Sequence, residues 1–186
     1  MGLDMYLYTN SKRVAKAAEK ASGTEEWRLP YGVAIYWRKA NQIHNWFVEN
    51  VQHGNDDCGD YEVEVEQLVE LRDVCEKVIA ASRLVKGTVM NGYVNGEPNY
   101  QEGRVIEDAT VAKELLPTAE GFFFGSTEYN EWYLDDVYRT RDGIDAILAN
   151  IEPYEQHSVA GIVWDSWREK GDSDEWNVKF LYHSSW

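Results

Sequence analysis

Cysteine is nearly absent from this chain: Cys58 and Cys75 are the only two in 186 residues, and they lack the paired spacing of a metal site. They read as reduced thiols. No apolar run approaches the roughly 18–20 residues that a membrane span needs, and the N-terminus lacks the basic-then-apolar pattern of a secretion signal. Catalytic signatures are missing as well. There is no Gly-x-Ser-x-Gly, no Walker loop and no Gly-x-Gly-x-x-Gly after a strand, so the sequence offers no catalytic set and no cofactor motif. His44, His53, Asp56, Asp57 and Cys58 lie close in sequence but without ligand spacing, so no metal is expected there. Cys58 beside two Asp residues has its thiolate disfavoured by like charge, the reverse of what a nucleophile needs.

Basic residues are scarce too, with 18 Lys and Arg against 33 Asp and Glu, a net charge of −15. The excess is local. Residues 49–77 carry ten acids and two bases, and residues 107–136 carry eight acids and one base, whereas residues 1–48 are net basic. Such a surface repels duplex phosphates and is drawn toward a basic groove on another protein, or it merely keeps the chain soluble. What is abundant is apolar and aromatic material: 44% apolar residues, with 8 Trp, 12 Tyr and 5 Phe. A chain of this length and content buries a real core, and a single domain over 1–186 is expected.

Leu3, Met5 and Leu7 alternate with Asp4, Tyr6 and Tyr8, which predicts an opening strand with one buried face. Ser11 to Ala21 reads as a helix capped at Asn10 or Ser11 and ended by Gly23. Trp37, Ala40, Asn41, His44, Phe47, Val48 and Val51 follow three-and-four spacing, predicting a helix from about Tyr36 to Gln52 whose Asn41 and His44 need partners. A loop over 54–60 and a helix over about 64–82 follow. Asn95-Gly96 marks a hairpin in a small excursion over about 86–106. A short helix ends at Pro117, and a long one continues to Pro153, with Gly143 a possible break. The tail reads as a hairpin, Val159–Trp167 and Trp176–His183, able to pair with the first strand. The fold class is α+β: an antiparallel sheet formed by the N-terminal strand and the C-terminal hairpin, covered by several helices.

Between these elements Leu115–Val137 stands out. Phe122, Phe123 and Phe124 run together, and three consecutive Phe are expected to sit inside the fold. Gly125-Ser126-Thr127 then reads as a helix start, where outward N–H groups either attract an anion or are capped by Ser126 and Thr127. Tyr36, Trp37, Arg38 and Lys39, with His44 one turn on, form the tightest basic-aromatic cluster and a candidate grip for a phosphate or carboxylate. Opposite in sign is a row of carboxylates at near-helical spacing, Glu62, Glu66, Glu70, Asp73 and Glu76, with Asp56 and Asp57 nearby. Trp164, Trp167 and Trp186 are candidate anchors for self-association.

The opening Met1-Gly-Leu-Asp-Met-Tyr-Leu, the segment Tyr36-Trp-Arg-Lys-Ala-Asn-Gln-Ile-His, the pair Leu115-Leu-Pro-Thr and Gly121-Phe-Phe-Phe-Gly-Ser-Thr-Glu-Tyr-Asn-Glu-Trp-Tyr, and the ending Ser184-Ser-Trp resemble a family of small bacteriophage and prophage proteins across nearly the whole chain. The resemblance implies a non-enzymatic accessory protein in the host cytoplasm that binds a host protein. An acidic member of that kind is expected to act as an anti-CRISPR-like inhibitor, presenting the carboxylate row where a CRISPR effector or nuclease expects phosphates, without binding nucleic acid or membrane itself. The alternative is a small-molecule or nucleotide binder that uses Arg38, Lys39, His44, Ser126 and Thr127 around an aromatic pocket.

Overall fold

The computed structural model describes residues 2–24, 30, 32–151 and 178–186. The first strand, β1 (Asp4–Thr9), forms as the alternation requires, with Met5 and Leu7 fully buried on one face. Helix α1 (Lys12–Ala21) starts at Ser11, whose hydroxyl accepts from the Val14 N–H, and it ends before Gly23 at φ 68°. The next segment departs from the expected helix. Residues Val33–Arg38 form a strand, β2, and α2 (Asn41–Asn50) begins only after Lys39, which adopts φ 60°. Val33, Ile35, Tyr36 and Trp37 are β-branched or aromatic and suit a pleated surface better than a helix. Both faces of β2 are buried, so its residues show no alternation that would mark a strand. Helix α2 is itself interior, burying Asn41, Gln42, Ile43, His44, Trp46, Phe47 and Val48.

Strand β3 (Asp60–Val63) fills the gap between the expected loop and the expected helix, too short for its alternation to register. Helix α3 (Val65–Ala81) opens with a capping box between Glu64 and Gln67. Then come β4 (Leu84–Val94) and β5 (Glu97–Ile106), turned by Asn95 at φ 55° and Gly96 at φ 87°, the two left-handed positions that an Asn-Gly hairpin supplies. Helices α4 (Thr110–Leu115) and α5 (Glu131–Leu148) and strand β6 (Phe180–Ser185) are the remaining elements among the described residues. The expected partner strand Val159–Trp167 and the turn after it lie outside the described residues.

The main sheet has the order β2-β1-β6-β3, antiparallel throughout. The class is α+β, with the first and last strands side by side. Met5, Leu7, Ile35, Trp37, Phe180 and Tyr182 share the face on which the helices pack. Tyr8, Val33, Tyr36 and Leu181 form a smaller cluster on the other face. Helix α5 runs between α1 and α3 and over β2, and Trp37 Nε1 donates to Thr140 Oγ1 at 2.8 Å to fix that crossing. The β4–β5 hairpin is a second sheet, docked where the Ile106 N–H donates to the Tyr129 carbonyl at 3.0 Å and the Met90 N–H donates to Glu128 Oε2 at 3.0 Å. Among the described residues no helix is long and apolar enough to cross a membrane.

Gly143 does not break α5; it lets the helix approach β2. A Cβ there would lie 2.6 Å from Ile35 Cδ1 and 3.2 Å from Ser22 Cβ. Gly143→Ala therefore sets a gain of about 1 kcal/mol in helix propensity against overpacking of about 1–3 kcal/mol. Net destabilisation is expected in urea unfolding, and a stabilised variant would show that the contact yields freely.

Candidate functional site: a polar groove with an aromatic lip

Where β2 ends, the chain makes a left-handed step at Lys39 and enters α2. The Lys39 N–H donates to the Leu3 carbonyl at 2.8 Å. Facing it, Gly125 takes φ 91°, and a Cβ on Gly125 would stand 3.0 Å from Lys39 Cβ. Two left-handed residues thus pack back to back, and the loop 117–127 lies against the entry of α2. Asn41 holds it there. Its Nδ2 donates to the Phe124 carbonyl at 3.0 Å and the Ser126 carbonyl at 2.8 Å, and its Oδ1 accepts from the Ala119 N–H at 3.0 Å.

The segment Gly125-Ser126-Thr127 is loop and not a helix start. Helix α5 begins six residues after Gly125, capped by Asn130, whose Oδ1 accepts from the N–H groups of Trp132 and Tyr133 at 3.0 and 3.2 Å. No helical N–H groups are therefore presented at Ser126, and its hydroxyl instead accepts from the Glu128 N–H at 3.1 Å. The Phe run is divided as well. Phe124 is buried, Phe123 is partly buried and Phe122 is 96% exposed. The turn closed by the Phe124 N–H on the Gly121 carbonyl at 3.1 Å sends successive side chains in different directions, so one ring enters the core and one points away.

Two cavities meet across this loop. The first, of about 350 Å³, has charged side chains in its lining, which includes Arg38, Lys39, Gln42, Asp135, Asp136 and Arg139. The second, of about 640 Å³, is lined by Phe122, Phe123 and Trp132 together with Met90 to Gly92 of the hairpin. Lys39, Gly125, Ser126 and Trp132 line both, making one groove with a charged end and an aromatic lip. Among the described residues Lys39 has no ion-pair partner, whereas Arg38 Nη1 stands 3.5 Å from Asp4 Oδ1. Arg139 donates through Nε to the Ser22 carbonyl at 2.8 Å. Burial pushes Asp136 up to about 7, against the pull of Arg139 and of Gln42, whose Nε2 is 3.5 Å from Asp136 Oδ2.

The basic-aromatic cluster expected from sequence is dispersed. Arg38, Lys39 and Ser126 come together in the groove. Trp37 is in the core, and Thr127 is exposed outside the groove. Tyr36 faces the opposite side of the sheet, where its hydroxyl donates to Asp4 Oδ1; burial, helped by that bond, raises it to about 12. His44 is buried one turn into α2, its Nδ1 2.7 Å from the Tyr182 hydroxyl and its Nε2 3.1 Å from Asp56 Oδ1. Burial lowers its pKa in spite of Asp56, so the ring is neutral at pH 7 and serves as a structural link. Trp186 packs against it, while Trp164 and Trp167 fall outside the described residues. Gln42, Trp132, Asp136 and Arg139 were not anticipated as site residues. Their signal was the spacing 132, 135, 136, 139, which puts Trp, two Asp and Arg on one helix face.

The carboxylate row is largely engaged within the chain. Glu62 lies in β3, not on the helix, with Oε1 3.3 Å from Lys179 Nζ. Asp73 pairs with Arg72 at 3.0 Å and Glu76 with Arg141 at 2.8 Å. Asp57 accepts from the Tyr61 hydroxyl at 3.0 Å and the Gly59 N–H at 2.9 Å, and Asp56 is the partner of His44. Glu66 and Glu70 are exposed and have no cation partner among the described residues. Cys58 and Cys75 are both free thiols, Cys75 buried and Cys58 partly so.

Asn41→Ala strands the buried Phe124 carbonyl and the part-buried Ser126 carbonyl and Ala119 N–H, which is expected to cost about 2–4 kcal/mol. Urea unfolding measures it, and a loss below about 0.5 kcal/mol would mean that the loop is held by packing alone. No family model, no curated protein and no solved structure matches the chain.

Proposed function

We propose that this protein binds a small, flat, anionic ligand of the nucleotide type in the groove around Lys39. The observation that carries this reading is the junction itself: a cation without an ion-pair partner among the described residues stands where a cavity bordered by charged side chains meets one bordered by Phe122 and Phe123. A phosphate or carboxylate gains charge-assisted bonds from Lys39 and Arg38, while Trp132 and Phe123 offer a stacking surface. The reading is one of binding.

A thermal-shift screen with nucleoside monophosphates tests it. A ligand at a hundred times its dissociation constant adds about 2.7 kcal/mol of stability. Lys39→Gln is expected to weaken binding by about tenfold or more, with the ligand-free melting temperature little changed. Absence of any shift across the nucleotides would remove the reading.

The resemblance to phage accessory proteins supports a second reading, in which an acidic face engages a basic groove on a host protein such as a CRISPR effector or nuclease. Glu66 and Glu70 favour it, because both are exposed on α3 and need not abandon a cation to meet a partner. Reversing both to Lys is expected to abolish capture of the host protein and the salt sensitivity of its association rate. Unchanged capture would exclude this face.

A further inference from the structure

Trp132, Asp136 and Arg139 occupy successive turns of one face of α5, and all three border the first cavity. At this spacing neighbouring side chains are about 5–6 Å apart at Cβ, which is the scale of a nucleobase. Asp136 is half-buried, and the hydrogen bond its side chain receives among the described residues is the 3.5 Å contact from Gln42 Nε2. A carboxylate accepts at about four lone-pair sites, and Asp136 borders the cavity, so it has capacity for a donor pair on a ligand held there. A half-buried carboxylate gains from a donor pair that fits both oxygens.

Resting on the groove as a nucleotide site, we infer that it selects guanine, with the N1–H and 2-amino groups of the base donating to Asp136, the ring against Trp132 and the phosphate toward Lys39 and Arg38. Guanine is the common base whose pairing edge presents two adjacent N–H donors. Adenine offers a donor beside an acceptor, and hypoxanthine has the N1–H without the amino group. A lone acceptor ring nitrogen facing the carboxylate is repelled, which turns the preference into discrimination.

The charge balance of the cavity fits a ligand with separated polar ends. Arg139 and Asp135 share the α5 face with Asp136, while Arg38, Lys39 and Glu128 border the cavity from the other elements. Glu128 is already engaged by the Met90 N–H and by Asn130 Nδ2. Since burial raises Asp136 to about 7, its accepting form grows as pH rises from 6 to 8, about tenfold for an isolated group. The phosphate also titrates near 6, but equally in every monophosphate, so the ratio of two affinities isolates the base.

Titration calorimetry of the full chain with GMP, IMP and AMP at pH 6, 7 and 8 tests the assignment. GMP is expected to bind at least tenfold tighter than AMP at pH 8, with IMP between them, and the GMP-to-AMP ratio should shrink toward pH 6. Asp136→Asn, which places an N–H donor against the base, should erase both the preference and its pH dependence. AMP binding as tight as GMP would overturn the inference while leaving the groove a nucleotide site. A guanine preference that survives in Asp136→Asn would overturn the role of Asp136. No binding of any of the three would sink the underlying groove reading as well. The wild-type series decides the base preference even if the variant fails to fold.

Discussion

One buried amide organises the functional half of this molecule. Asn41 uses both donors and its acceptor on the backbone of a single irregular loop, at Phe124, Ser126 and Ala119. A loop lacks its own ladder of hydrogen bonds, so groups it buries must find partners elsewhere. By supplying three, Asn41 fixes the loop against α2 and brings Gly125 against Lys39. From that contact follow the position of the lysine, the division of the Phe run between core and surface, and the seam along which the two cavities join. The loop then leads into α5 through the Asn130 cap, which sets the rotation of that helix and so the side chains facing the groove.

The distribution of charge has a related logic. The acidic excess suggests a uniformly negative surface, yet much of it is partnered. Arg141 meets Glu76 and Asp142, Arg72 meets Asp73 and Asp145, and Lys179, itself buried, meets Glu62. Most of these pairs are at least partly exposed and contribute little stability each. Their effect is on where the unspent charge lies: negative on the outer side of α3, mixed inside the groove, with Lys39 as a cation that no carboxylate answers among the described residues.

Much of the fold was legible in the sequence, and the reasons are specific. β1 alternated cleanly, α1 carried its Ser11 cap, α3 had length and period, and Asn95-Gly96 met the torsional demand of its turn. The strand over 33–38 is not legible, and its end reads as the start of a helix from about Tyr36, because a strand buried on both faces has no period of two and its Trp37 falls in phase with the stripe of α2. β3 was missed because four residues give too little pattern. The groove was half legible. Arg38, Lys39 and Ser126 stood out by type, but the left-handed step at Lys39 is a tertiary outcome that no local rule announces. Three consecutive Phe signalled burial by composition, while the turn geometry that separates them depends on the Asn41 clamp, 83 residues from Phe124 in sequence.

The hairpin has a further meaning. Its ladder is irregular between Met90 and Tyr93, and the Met90 N–H is bound to Glu128 and so tied to the loop before α5. Beyond that tie the ribbon has its own turn and its own sheet. Adding or deleting one cross-strand pair near the tip shifts the ribbon's end by about 3.4 Å and exchanges inward for outward side chains, while two pairs restore the facing at twice the reach. The reach of the ribbon past the aromatic lip is therefore an adjustable part on a fixed frame: its length can change while Met90, held by Glu128, and the core beneath stay in place.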